Sequence, residues 1–275
     1  MDYEKAQCLK GILFNEKSPE DVEKWSDEES TRYDMDPNKR NLAVIITNEK
    51  FKELNFREGA DEDTRTIKNA LESLDFEVEE LKNQSVKQMK KALRKIQNKG
   101  GKYNCFVCVI STHGKIGDKI CGNDKEVLIE DLVEEVLPGK CPGLEGKPKL
   151  FFIQACRGKK TDEGASQNSA IKTEKVDVTD IITHKIPVWV DVLVAYSSVS
   201  EYYSWRNVTD GSWFLQALAY ILQHYGKKLE LQELMLLVNH VIASKETRST
   251  DCEKNKKKQI PSISNTLTKE LYFEK

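Results

Sequence analysis

A chain of 275 residues, 39% hydrophobic and 32% charged, is long enough to bury a full core and has the make-up of an ordinary soluble globular protein. Its 43 basic and 45 acidic side chains nearly cancel, so nothing in the charge calls for nucleic acid or an anionic membrane as partner. Met1-Asp2-Tyr3-Glu4-Lys5 lacks the apolar core of a signal peptide, and no apolar run approaches a membrane span.

The seven cysteines are an odd number and several lie inside apolar runs, which suits reduced thiols in the cytoplasm better than a disulfide framework. No cysteine–histidine cluster has zinc-ligand spacing, and no cofactor is implied.

Residues 1 to about 35 are polar and acidic, crowded by Asp21, Glu23, Asp27, Glu28 and Glu29, and read as a mobile leader. Order is expected to begin with Leu42-Ala43-Val44-Ile45-Ile46, a continuous apolar run of the kind a strand buried on both faces shows. Residues 60 to 74 read as a helix with Asp61 or Thr64 as cap and Ile67, Ala70, Leu71 and Leu74 on one face. A short strand over 76 to 81 follows, then a helix over 85 to 98 with Val86, Met89, Leu93 and Ile96 on one stripe, stopped at Gly100-Gly101.

Next come a buried strand over 105 to 110, a glycine-rich loop, a helix near 129 to 137, and a second buried strand, Lys149-Leu150-Phe151-Phe152-Ile153. Residues 157 to 185 are polar and without periodicity, and a run of this length inside a compact domain is usually functional or disordered. The alternation resumes with a strand over 188 to 197 and helices over 212 to 225 and 229 to 243. A lysine-rich loop over 247 to 259 and strand-like pieces at 260 to 263 and 270 to 273 close the chain. Such alternation predicts a mostly parallel sheet covered by helices on both faces.

Two of the buried strands end in chemistry. Gln154-Ala155-Cys156-Arg157-Gly158 closes one, and Ser111-Thr112-His113-Gly114 closes the other, with His113 lying 43 residues before Cys156. Strand ends are where open α/β sheets bind ligands. A thiol and an imidazole at neighbouring strand ends are a cysteine nucleophile and its base. Gly114 has no side chain to block the approach of a substrate. Its N–H and that of Cys156 are candidate donors for the negative charge of a tetrahedral intermediate. Cys105 and Cys108 read as buried structural thiols, and His184, His224 and His240 as surface or core residues.

These motifs identify a resemblance to the caspases over nearly the whole chain. It rests on Arg57-Glu58-Gly59-Ala60-Asp61, Thr112-His113-Gly114, Gly146-Lys147-Pro148-Lys149-Leu150-Phe151, Gln154-Ala155-Cys156-Arg157-Gly158, Tyr202-Tyr203-Ser204-Trp205-Arg206-Asn207 and Asp210-Gly211-Ser212-Trp213-Phe214. Lys257-Lys258-Gln259-Ile260-Pro261 and Leu267-Thr268-Lys269-Glu270-Leu271-Tyr272-Phe273 are similar to the executioner branch.

The resemblance implies an α/β three-layer sandwich around a mostly parallel six-stranded sheet, and an apoptotic endopeptidase that cuts protein substrates after aspartate. Arg57, Gln154 and Arg206 would line the primary specificity pocket, since a buried carboxylate needs charge-assisted hydrogen bonds that two guanidinium groups supply. Ser204, Trp205 and Arg206 would pair with the substrate backbone, Tyr203 and Trp205 would wall the next pocket, and Asn207 and Trp213 would shape a pocket further out. The implied zymogen has a propeptide over 1 to 27, a large-subunit region over 28 to 177, the end of a linker over 178 to 185 and a small-subunit region over 186 to 275. Asp27, Asp177 and Asp180 are the expected processing sites; Asp162 is a third aspartate in the linker but lies almost against the catalytic strand. Two cut chains would pair through their terminal strands into a homodimer, with an upstream initiator caspase and inhibitor proteins as further partners.

One stretch departs from the family. Executioners carry aromatic residues between the last long helix and Gln259-Ile260-Pro261, whereas 244 to 258 holds none and is rich in Lys and Arg. Lysines there could favour acidic substrates or simply face solvent. Two other readings stand beside the leading one: a relative of the metacaspase type cutting after Arg or Lys, against which the two pocket arginines argue, and a catalytically silent homologue that regulates another caspase by heterodimerising.

Overall fold

The computed structural model describes residues 31–158, 160–162, 189–207, 210–251 and 254–274. Asp27, Asp177 and Asp180 lie outside the described residues, as does His184. The apolar runs become strands β1 (Arg40–Thr47), β2 (Phe76–Lys82) and β3 (Tyr103–Ser111). A small antiparallel sheet of β4 (Gly114–Lys115), β5 (Lys119–Cys121) and β6 (Glu126–Leu128) follows where a loop was expected. Strands β7 (Lys149–Gln154), β8 (Val192–Tyr196), β9 (Arg206–Asn207), β10 (Gly211–Ser212) and β11 (Ser262–Asn265) complete the set.

The helices are α1 (Ala60–Ser73), α2 (Val86–Arg94), α3 (Ile129–Val133), α4 (Trp213–Tyr225) and α5 (Leu231–Ser244), with short 3₁₀ turns extending α2 and α3. The central sheet has six strands in the order β11-β8-β7-β3-β1-β2, parallel except for β11, which runs antiparallel to β8.

The continuous apolar runs have a simple cause. Alternate residues of each strand point to opposite faces, and both faces are covered. Ala43, Ile45, Val107, Val109 and Phe152 pack into one core with α1, α4 and α5. Leu42, Val44, Ile46, Cys108, Ile110 and Ile153 pack into the other with α2 and α3. The three layers and mostly parallel sheet are as expected from the sequence.

Several local expectations change. Neither Asp61 nor Thr64 caps α1; its cap is Gly59, held at φ 76°, a left-handed conformation that a side chain disfavours. Thr64 instead donates to the Ala60 carbonyl at 3.1 Å. The strand expected from 188 begins at Val192, and of the piece at 270 to 273 only Glu270 forms a β-bridge among the described residues, with Arg32.

Order also begins before Leu42. Tyr33 is buried, its hydroxyl donates to Asp191 at 2.6 Å, and its N–H donates to the Glu270 carbonyl at 3.0 Å. The end of the stretch read as leader is thus sewn to the C-terminal segment, through a tyrosine whose single apolar signal was lost among charges.

Because β1, β3 and β7 are parallel neighbours, their C-terminal ends share one edge of the sheet. Chain order reverses about β1, with β2 on one side and β3 on the other, which opens a crevice at that edge. Arg57 follows β1, His113 follows β3 and Cys156 follows β7, so three separate segments deliver side chains to one place.

Candidate active site

The loop after β3 is tied to the end of β7. Thr112 donates its N–H to the Gln154 carbonyl at 3.1 Å and its hydroxyl to the Cys121 carbonyl at 2.6 Å. His113 is held from two sides: Nε2 lies 2.8 Å from the Asn55 carbonyl, and the Phe51 ring packs 4.7 Å from the imidazole. A carbonyl only accepts, so Nε2 carries the proton and Nδ1 keeps the lone pair. The half-buried Cys156 thiol points to the Ser204 carbonyl at 3.7 Å.

Only glycine fits beside this cysteine. A Cβ at position 114 would sit 1.8 Å from the Cys156 carbonyl oxygen. The bond from Cys121 N–H to the His113 carbonyl makes Gly114 and Ile120 a non-hydrogen-bonded pair, which turns the Gly114 N–H away from β5.

Burial pushes the Cys156 thiol up, against the opposing pull of Arg57 and Arg206. Burial holds the His113 imidazolium below its usual range, aided by the positive charges of Arg57, Arg206 and Lys115 and opposed by the Asn55 carbonyl. The resting pair at neutral pH is therefore a thiol and a neutral imidazole, so proton transfer belongs to the encounter with substrate.

One cavity of about 300 Å³ gathers Arg57, His113, Gln154, Cys156, Tyr203, Ser204, Trp205 and Arg206, all of them singled out from the sequence. Arg57 is 3% exposed and donates Nη1 to the Asn48 carbonyl and to Ser111 Oγ, both at 3.2 Å. Burial, and then the like charge of Arg206, bring its guanidinium down to about 10. Beneath the pair lies buried Asp63, whose Oδ1 accepts from Ser212 N–H at 2.6 Å and Ser212 Oγ at 2.9 Å. Burial raises the Asp63 carboxyl, and both the Ser212 bonds and the two arginines oppose this. Two guanidinium groups against one carboxylate leave the cavity complementary to an anion. Gln154 donates Nε2 to Ser204 Oγ at 2.9 Å while its buried Oε1 meets no partner among the described residues.

Asn207 and Trp213 do not reach this cavity. They line a second one of about 410 Å³, together with Trp205, Arg206, Glu246, Arg248 and Lys254. Trp205 forms the wall between the two, with its ring 5.1 Å from that of Tyr203. The motif residue Arg157 faces away from the chemistry, donating to Asp118 at 2.8 Å and stacking 4.0 Å over the Tyr196 ring. Among the described residues no helix is long and apolar enough to cross a membrane.

Sequence reasoning missed four parts of the site. Asn55 acts through its carbonyl, which no side-chain pattern reveals. Phe51 lies in a loop. Lys254 was one charge in a basic run. Asp63 was legible, because it shares the i, i+3, i+7 stripe of Ala60 and Ile67, and a carboxylate on an apolar stripe has to find partners inside.

A caspase-domain model of peptidase family C14 matches residues 40–272. The chain is 38% identical over 247 residues to caspase-7 of Gallus gallus, covering 88% of this chain and 80% of that one. It is 38% identical over 246 residues to caspase-3 of Bos taurus, covering 88% and 87%. The crystal structure of caspase-1 from Spodoptera frugiperda matches with a TM-score of 0.81 at 31% identity, over 90% of this chain and 97% of that chain.

Proposed function

The chain belongs to the caspase family of cysteine proteases, and from that premise we propose that it is an endopeptidase cutting protein substrates after aspartate. The observation that carries this reading is the single cavity lined by Cys156, His113, Arg57 and Arg206. A substrate aspartate enters between the two guanidinium groups. A half-turn of the Gln154 amide lets Ser204 Oγ donate to Oε1 and aims the NH₂ at the same carboxylate, which gives the unpartnered oxygen a bond.

Cys156 Sγ attacks the scissile carbonyl carbon as His113 Nδ1 takes the thiol proton, so a C–S bond forms and the carbonyl becomes an oxyanion. The N–H groups of Gly114 and Cys156 stabilise it. Collapse breaks the C–N bond, and the imidazolium gives its proton to the leaving amine. Water, deprotonated by His113, then hydrolyses the thioester and restores the thiol.

The test compares fluorogenic peptides ending in Asp and in Arg. Cleavage of the Asp peptide alone supports the reading. Cleavage of the Arg peptide would point to the metacaspase type, and cleavage of neither to a silent homologue.

An executioner role in apoptosis is part of the proposal, supported by the similarity to caspase-3 and caspase-7. So is maturation by cutting. The segment after Cys156 is paired to the half that supplies the pocket: Tyr203 N–H donates to the Lys160 carbonyl at 2.8 Å and Lys258 N–H to that of Asp162 at 2.9 Å. Asp162 is a poor cut site because its backbone is already paired with Lys258, and a protease needs an unpaired strand to bind. Asp177 and Asp180 remain the proposed linker sites and Asp27 the propeptide site. Intact-mass analysis of active enzyme checks this, and full activity of an uncut chain would overturn it. β11 is the edge strand of the sheet, which supports pairing of two copies along it.

A further inference from the structure

One cation in the cleft belongs neither to the catalytic pair nor to the aspartate pocket. Lys254 lines the inner cavity beside Tyr203 and Trp205 and lines the outer cavity as well, so it stands at the step between them. The inner lining thereby carries Arg57, Arg206 and Lys254 and, among the described residues, no carboxylate. In the outer lining Arg206, Arg248 and Lys254 face a single acid, Glu246. Lys254 is ion-paired with Asp251 at 3.1 Å, with the two side chains 64% and 45% exposed. Water screens such a pair and lets the ammonium exchange partners.

The backbone fixes which substrate residue meets this ammonium. Trp205 donates its N–H to Gln259 Oε1 at 2.7 Å and accepts from Trp213 N–H at 3.3 Å, so both of its main-chain groups face the protein. Alternation along an extended chain turns the carbonyl of Ser204 and the main-chain groups of Arg206 to the open edge, where a substrate strand pairs. Side chains of that strand alternate as well. With the aspartate directed at Arg57, the residue before it turns to the other face and lies against the Tyr203 and Trp205 rings, within reach of Lys254.

We propose that Lys254 makes the enzyme select a second carboxylate, Glu or Asp, immediately before the aspartate it cuts after. The inference rests on the aspartate-directed reading above.

The test uses fluorogenic peptides identical except for Glu, Val or Lys at that position, cut by the wild type, Lys254→Arg and Lys254→Glu. The wild type is expected to favour Glu over Lys by about tenfold or more in kcat/KM. Lys254→Arg should keep the preference and Lys254→Glu should abolish or invert it, and added salt should shrink it in the wild type because the site is partly open to water. A wild-type ratio near one, or a ratio that Lys254→Glu leaves unmoved, overturns the proposal while aspartate cleavage stands. Failure to cut any Asp peptide sinks the aspartate-directed reading and this inference with it.

Discussion

The inner cavity is lined by side chains that leave the ends of buried strands, whereas the outer one hangs on the loop after α5. Gln154, on β7, is 2% exposed, and Arg57, in the loop after β1, is 3% exposed. Glu246, Arg248, Ser249 and Lys254 lie in the loop after α5; all but Thr247 of that loop's contribution are partly or wholly exposed. The two cavities share Trp205, Arg206 and Lys254, so the same strand edge serves both. The difference separates two jobs. Positions fixed by a packed core hold reacting atoms in place, while a surface loop can change its charge without disturbing that core.

The largest effects should come from the inner cavity. Cys156→Ala should abolish cleavage of Asp peptides and His113→Ala should nearly do so, with thermal unfolding unchanged. Cleavage by Cys156→Ala at a rate near wild type would assign the nucleophile elsewhere. Next come Arg57→Ala and Arg206→Ala, which leave a substrate carboxylate short of a partner in a desolvated site. Breaking such a pair costs about 3–5 kcal/mol, or roughly a hundredfold to several thousandfold in kcat/KM. Unchanged kcat/KM in both variants would show that neither arginine binds the substrate aspartate.

The outer cavity should respond on a smaller scale. Trp213→Ala removes an aromatic wall that Lys245 Nζ approaches at 5.8 Å, and a loss of only several-fold, carried mainly by KM, is expected. A loss from Trp213→Ala as large as that from Arg57→Ala would break the division between the cavities.

The same division explains what the sequence made legible. Strands buried on both faces write continuous apolar runs, so β1, β3 and β7 and the residues at their ends could be placed. His113, Cys156, Arg57 and Gln154 converge because parallel neighbours end at one edge. The loop cation Lys254 could not be placed, because no periodicity fixes where a loop charge points. The Asn55 carbonyl left no mark, since every residue has one. The three-stranded β4–β5–β6 sheet hid behind short strands in which Lys115, Lys119 and Glu126 dilute the alternation.

The smallest expected effect concerns ionisation. Burial, joined by the positive charges of Arg57, Arg206 and Lys115, lowers the His113 pKa. The imidazole acts as a base only when neutral. A lowered pKa therefore keeps the active form populated as pH falls through about 6.5, the unperturbed value, and the acid limb of kcat/KM should lie below that pH. In a Cys156→Ala background, NMR titration of His113 should give a midpoint on the acid side of the unperturbed value. Adding Arg206→Ala removes a like charge and should move the midpoint up. Arg248→Ala should leave it in place, because Arg248 lines the outer cavity and not the one that holds His113. A midpoint at or above the unperturbed value, or equal shifts from Arg206→Ala and Arg248→Ala, would show that the electrostatics of the two cavities are not separate, and the structural division would then not extend to charge.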